Sequence, residues 1–245
     1  MIDLRLARHF IGQLARGRRL IGLMALASVP GLVAWIAIAS EAPASAVELY
    51  DDVVATVSNG TLSIAVLVIG AAVMRDERDG GTLPFLFLSP VPRWKFAVSA
   101  WAAAATVSVG VAMVGWAVGL LGLGISSGDW AHAWALLPAY VAAALAYSAL
   151  FLPIGYLFNR AILVGLAYVF IWEGIFTTLV SGLAASSIWR TALSITADIT
   201  ELPRDALDVL GPVLPGLWGG VAKTVVIVMV ATGVFTWSLR TRDAL

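Results

Sequence analysis

The stretch MRDERDGGTLPFLFLSPVPRWK, residues 74–95, decides how the rest of the chain is read. Five charges follow one another from Arg75 to Asp79. Then come Gly80-Gly81, Thr82, an apolar run containing Pro84, the prolines Pro90 and Pro92, and Trp94 between Arg93 and Lys95. Long runs with hardly a charge lie on either side. Only 12% of the 245 residues are charged and 60% are hydrophobic, with a mean hydropathy of +0.93. Soluble domains carry about 25% charged residues, so the composition takes lipid as its solvent and 74–95 is a polar break between two membrane segments.

Working outward, six segments carry the roughly 20 apolar residues that a helix needs to cross the hydrocarbon core: about 20–40, 53–74, 96–123, 133–158, 161–183 and 217–239. The runs are continuous, without the two-residue alternation of a barrel strand. The expected fold class is therefore an all-α polytopic membrane protein, a single transmembrane domain over 1–245. Twelve of the fifteen basic residues fall on one side of the six spans, before the first, between the second and third, between the fourth and fifth, and after the last. The facing loops hold Glu41, Glu48, Asp51, Asp52, Asp129, Asp198, Glu201, Asp205 and Asp208. The positive-inside rule then expects both termini in the cytoplasm and the chain in the inner (plasma) membrane. Tryptophans agree with this, since Trp94, Trp101 and Trp237 fall near inner ends and Trp35, Trp130, Trp134, Trp189 and Trp218 near outer ones. Mid-span Trp116 and Trp172 read as packing.

Composition also removes function classes. A net charge of zero gives no electrostatic case for nucleic acid. The absence of cysteine removes disulfides and thiolate sites, and two histidines far apart, His9 and His132, argue against a metal site or a Ser-His-Asp triad. Residues 1–19 are strongly basic and lack the apolar core of a cleavable signal. Within them Arg5, Arg8, His9, Arg16 and Arg19 share one helical face opposite Leu6, Phe10 and Leu14, so this segment is expected to lie as an amphipathic helix in the inner interface. Two readings stand: a topogenic signal alone, or a docking surface for a cytoplasmic partner carried by Arg5, Arg8 and Arg16.

Inside 74–95, the second span is expected to continue as helix to Arg78 and to end at Gly80-Gly81, because glycine accepts the left-handed conformation that terminates helices. Thr82 suits an N-cap and Pro84 a first turn. Leu83, Phe85, Leu86, Phe87 and Leu88 make a short apolar helix that Pro90 and Pro92 stop. Such a helix is not stable alone; it lies under the membrane interface or buries its tip in another protein's groove.

These residues resemble the signature of ABC-2 type transporter permeases, the membrane subunits of one class of ATP-binding-cassette exporters. Glu77, Arg78, Gly81, Thr82, Leu83, Leu86, Leu88, Ser89, Pro90 and Arg93 match the pattern, and Pro84 departs from it, where the family more often carries an acidic or polar residue. The resemblance implies that 79–93 is a coupling segment whose short helix enters a cleft on an ATPase subunit, with Glu77, Arg78, Gly81, Thr82, Leu83, Phe85, Leu86, Ser89, Pro90 and Arg93 as docking residues. It further implies two copies of that ATPase subunit, a second permease copy as homodimer partner, ATP and Mg held by the partner and no cofactor by this chain, and a surround of membrane lipid.

Other candidates for chemistry are few. GLWGGVAKT, residues 216–224, resembles a P-loop but lacks Gly before Lys223 and opens a span rather than following a strand, so it is rejected and no catalytic residue is assigned. Two charges lie within spans, Glu173 and Lys223, and such charges are functional candidates. Three readings of Glu173 stand: it lines a translocation path, it pairs with Lys223, or it is protonated in a buried pocket while Lys223 snorkels outward. Asn59 and Thr61 in SNGTLS, residues 58–63, face a central pathway or cement helix packing. Pro30, Pro138 and Pro153 are candidate kinks. In the outer loop, 184–216, Thr200 opens a short amphipathic helix; the resemblance implies that it caps the exit, and the alternative is a helix lying on the surface. Taken together, the sequence reads as an ABC-2 type permease subunit. The rival readings are an ATP-independent carrier, a membrane enzyme or a membrane scaffold.

Overall fold

Where apolar side chains run without interruption and no water is at hand, the backbone must bond to itself, and helix is the local solution. The computed structural model describes residues 3–40, 46–81, 91–200 and 216–241, and every regular element among them is helical. In chain order these are α1 (Leu4–Leu14), α2 (Arg18–Ser40), α3 (Ala46–Asp79), α4 (Arg93–Ser127), α5 (Trp130–Ala135), α6 (Leu137–Leu157), α7 (Ala161–Ala167) running on as a π-helix (Tyr168–Phe176), α8 (Ile188–Thr200) and α9 (Gly216–Thr241).

Five stretches are long and apolar enough to cross a membrane: Arg18–Ser40, Ala46–Arg78, Arg93–Ser127, Trp130–Leu157 and Gly216–Thr241. They answer five of the six expected spans. The remaining one, 161–183, is an apolar helix only over Ala161–Phe176; sixteen residues rise about 24 Å, short of the roughly 30 Å hydrocarbon core. Beyond Phe176 the chain makes two short turns of helix, Thr177–Leu179 and Ser181–Ala184, separated by extended Val180. The reason lies in Glu173, described below, which draws the chain back at Ser187. Pro30 and Pro153 lie within continuous helices. Pro138 sits in the first turn of α6, where its missing N–H is no loss, and α5 ends just before it.

Small residues set how closely the helices approach. On α4, Gly115 lies against the carbonyl of Ala27, and a Cβ added at Gly31 of α2 would meet the backbone nitrogen of Gly119 at 2.5 Å. Gly155 of α6 likewise lies against Ala71 of α3, where a Cβ would come within 2.7 Å of the facing Cα. Lipid tails offer no hydrophobic drive for helix association, so such close backbone packing carries it.

The core has two halves. One, toward the end that carries Asp51 and Asp129, is built around Tyr50, Leu62, Trp116, Tyr140, Tyr147, Phe151 and Trp189. The other, toward the end that carries the arginines, gathers Phe10, Met74, Phe96, Tyr156 and Phe235. Trp116 packs as expected, with its indole N–H on the Ala133 carbonyl at 3.0 Å. Trp189 is buried, edge-on to Tyr140 at 5.9 Å. Trp35, Trp94, Trp130, Trp134, Trp218 and Trp237 are exposed. α9 turns Val225, Met229 and Val230 outward, the surface expected of a lipid-facing helix.

Candidate functional site

At the basic end, α1 is fastened to the bundle rather than lying free. The Asp3 carboxylate caps it, accepting from the backbone N–H of Arg5 at 3.0 Å, while the Asp3 N–H donates to Ser99 Oγ on α4 at 3.0 Å. Its apolar stripe, Ala7, Phe10 and Leu14, is buried, and Phe10 meets Phe96 edge-on at 5.8 Å. His9 Nε2 lies 3.0 Å from Glu77 Oε1, and Glu77 has no exposed surface. One residue earlier, Asp76 accepts two bonds from the Arg19 guanidinium, at 3.1 and 3.4 Å. The opposite face of α1 leaves Arg5 and Arg8 exposed, and Arg16, in the turn past the end of the helix, is exposed as well.

The motif residues therefore separate by where they point. Glu77 faces α1. Arg78 reaches the corner after α6, donating to the Tyr156 carbonyl at 2.6 Å and to Asn159 Oδ1 at 3.1 Å. Gly81 ends α3 with φ +65°, the left-handed geometry anticipated from the glycine pair, and its N–H returns to the Arg78 carbonyl at 3.1 Å. Arg93 opens α4, where the Pro92 carbonyl accepts from the N–H groups of Lys95 and Phe96. Lys95 lies 5.6 Å over the Trp94 ring. Thr82, Leu83, Phe85, Leu86, Ser89 and Pro90, and with them the expected short helix, lie outside the described residues, as does the loop helix expected after Thr200.

A second constellation occupies the interior. Glu173 is 2% exposed. Its Oε1 accepts from the Ile188 N–H at 2.9 Å and from the Tyr168 hydroxyl at 3.1 Å, and its Oε2 accepts from Ser187 Oγ at 2.5 Å. The π-helix explains the Tyr168 contact, because its i→i+5 repeat brings residues five apart onto one face, as an α-helix does not. π-helical turns are rare and concentrate at functional sites. Ser187 in turn accepts from the Arg190 N–H at 3.1 Å, so it and Glu173 together satisfy the first amides of α8. Lys223 takes the same turn from the other side, donating to the Ala185 carbonyl and, at 2.7 Å, to Thr191 Oγ1. The acid and the base thus grip one helix end, and no ion pair between them is present among the described residues.

Nearby, the Tyr147 hydroxyl donates to Asn59 Oδ1 at 3.4 Å, and Ser58 Oγ lies 2.8 Å from the Tyr140 hydroxyl. Thr61 folds onto its own helix, donating to the Val57 carbonyl at 3.0 Å. Tyr147, Tyr168 and Ser187 escaped the sequence reading. Their signal was a phenol or hydroxyl in an apolar run, which must find a partner once buried. At the acidic end His132 Nε2 and Asp51 Oδ1, 2.7 Å apart, tie α5 to α3.

A bundle of membrane-length helices, with a glycine-ended α3 facing the start of α4 at its basic end, agrees with the comparison to known families. The family model described as ABC-2 family transporter protein matches residues 17–190. No curated protein matches the chain. With a match that covers well over half its length, this multi-pass membrane protein belongs to the ABC-2 family of transporter proteins.

Proposed function

We propose that the chain is the non-catalytic permease subunit of an ABC-2 exporter, working as a homodimer with two ATPase subunits that hold ATP and Mg. The observation that carries this reading is the family match over residues 17–190. The fold supplies what such a role needs. α3 and α4 are long packed helices, and the apolar segment 82–90 joins them at the basic end. α3 and α4 would act as a stiff pair of levers on either side of that sequence. By the resemblance of the motif, Phe85 and Leu86 are assigned to the ATPase cleft, since an apolar segment of this kind is suited to a groove on another protein. Glu77 and Arg78 are assigned to bracing the levers against α1 and the α6–α7 corner. Both termini are placed in the cytoplasm by the positive-inside rule, and residues 161–187 complete a sixth crossing.

Glu173 is assigned to holding α8 rather than to binding cargo, because its carboxylate oxygens already have three donors from the chain itself. Glu173→Gln separates the two roles. Unaltered ATP-dependent transport with normal expression removes a charge-binding role in the path, whereas loss of transport in a stable Gln variant restores it.

The principal test is co-purification with the cognate ATPase subunit, with and without the pair Phe85→Asp and Leu86→Asp. Loss of both binding and ATPase stimulation is expected. Retention of either in the double variant overturns the docking assignment.

A further inference from the structure

The charges that end α3 part company. Arg75 and Arg78, three residues apart, are neighbours on one helix face. Asp76 and Glu77 turn the other way and are engaged by Arg19 and His9. The arginine face looks onto the corner between α6 and α7. There it closes a cavity of about 300 Å³ lined by Arg75, Arg78 and Arg160 together with Asn159, Phe158 and Leu163. Among the described residues no acidic side chain lines it. Arg78 fixes the corner through the Tyr156 carbonyl and the Asn159 side chain. Arg75 and Arg160 are exposed at the rim, and so are Phe158 (44%) and Leu163 (59%).

We propose that this cavity binds the phosphate of an anionic diacyl phospholipid. Three guanidinium groups at one opening form a site for phosphate oxygens, which arginine engages through parallel N–H bonds. Basic pockets between spans at the cytoplasmic headgroup level hold anionic lipid headgroups, and the basic end of this bundle is where that level is expected. The size fits a headgroup and not a whole lipid, since ligand pockets start at about 300 Å³. The exposed Phe158 and Leu163 side chains provide the apolar surface along which acyl chains would leave. Free phosphate shares the headgroup's chemistry but has no use for that apolar wall. The inference rests on membrane embedding and is independent of the ATPase partner.

The test uses the full-length chain reconstituted in mixed phosphatidylglycerol and phosphatidylcholine, with retained lipid counted by native mass spectrometry after mild delipidation. Preferential retention of phosphatidylglycerol is expected. The pair Arg75→Gln and Arg160→Gln should lower it ten- to thirtyfold, at about a factor of five per basic residue near the headgroups, and the Lys pair should lower it less. Arg160→Gln alone, on an exposed corner, should lower it about fivefold and gives the same reading without the α3 substitution. Equal retention of the two lipids, or retention unchanged in the Gln variants, overturns the proposal. Thermal stabilisation of the lipid-free chain by inorganic phosphate, without selective lipid retention, reassigns the cavity to a soluble phosphate and likewise overturns it.

Discussion

Glu77 and Glu173 are both carboxylates with almost no exposed surface, and each holds a helix too short to span, yet their partners differ in kind. Glu77, at the basic end, meets His9, an ionisable side chain half exposed to solvent. Glu173, within the apolar stretch that follows α7, meets two hydroxyls and a backbone N–H, all neutral. Near water, a charged partner can be solvated when the pair opens. In a low-dielectric interior an unpaired charge costs several kcal/mol, and neutral donors that converge on one carboxylate stabilise it without adding a second ion. The bundle thus docks α1 with a contact that can release and α8 with one that cannot do so cheaply.

The sharpest way to break this comparison is to remove the interior acceptor. Glu173→Leu leaves the Ser187 hydroxyl, the Ile188 N–H and the Tyr168 hydroxyl without their acceptor. A buried donor left unsatisfied costs about 1–3 kcal/mol, so a loss of at least about 3 kcal/mol is expected in thermal unfolding of the detergent-solubilised chain. Glu173→Gln keeps an acceptor oxygen and should recover more than half of that loss. A Leu variant no less stable than its Gln counterpart would show that hydrogen bonding is not what Glu173 contributes.

Glu77→Leu comes next. It removes the buried half of the His9 contact while leaving Phe10, Ala7 and Leu14 in place, so a loss of about 1–3 kcal/mol is expected. It should be local: faster hydrogen exchange across Leu4–Leu14, unchanged exchange across Ile188–Thr200. Exchange that rises in α8 as well would mean that the two docked helices are not independent.

How far this was legible in the sequence follows the same division. Around residue 78 the chain announces itself, because charge, paired glycines and prolines are local signals with local consequences. The helix end at Gly81 and the start of α4 at Arg93 fall where those signals place them. α8 was not legible. Ser187, Thr191, Ser194 and Thr196 make Ile188–Thr200 read as an outer loop, whereas all four are buried. Their hydroxyls are satisfied by partners that no local pattern reveals: Ser187 by Glu173, and Thr196 by the Ala135 carbonyl sixty-one residues away at 3.0 Å. The apolar run to 183 is not one continuous helix for the same reason, since hydropathy does not register that one carboxylate inside the run recaptures the chain at Ser187. Glu173 was visible as an anomaly, and only its geometry shows what it holds.

A third substitution tests whether Lys223 shares the load with Glu173. Thr191 Oγ1 accepts from Lys223 Nζ and donates to the Ser187 carbonyl at 2.6 Å, so it links the two sides of the α8 turn. Thr191→Val keeps the shape and removes both bonds. The Ala185 carbonyl remains as an acceptor for Lys223, so the expected cost is about 1–2 kcal/mol, below that of Glu173→Leu. A cost equal to that of Glu173→Leu would make Lys223, not Glu173, the main support of α8.

The smallest effect belongs to Asp76. Its ion pair with Arg19 is bidentate, but the two side chains are 35% and 34% exposed, and exposed pairs contribute from nothing to about 1 kcal/mol because water and salt screen them. Asp76→Asn should therefore shift the unfolding midpoint barely, and what shift there is should vanish by about 1 M salt, where the screening length falls to roughly 3 Å. The neighbouring Glu77→Leu loss should persist at that salt, since its carboxylate is sealed from solvent. If both losses fade together, the His9–Glu77 contact behaves as a surface ion pair does, and the burial of Glu77 contributes nothing that sets it apart from Asp76.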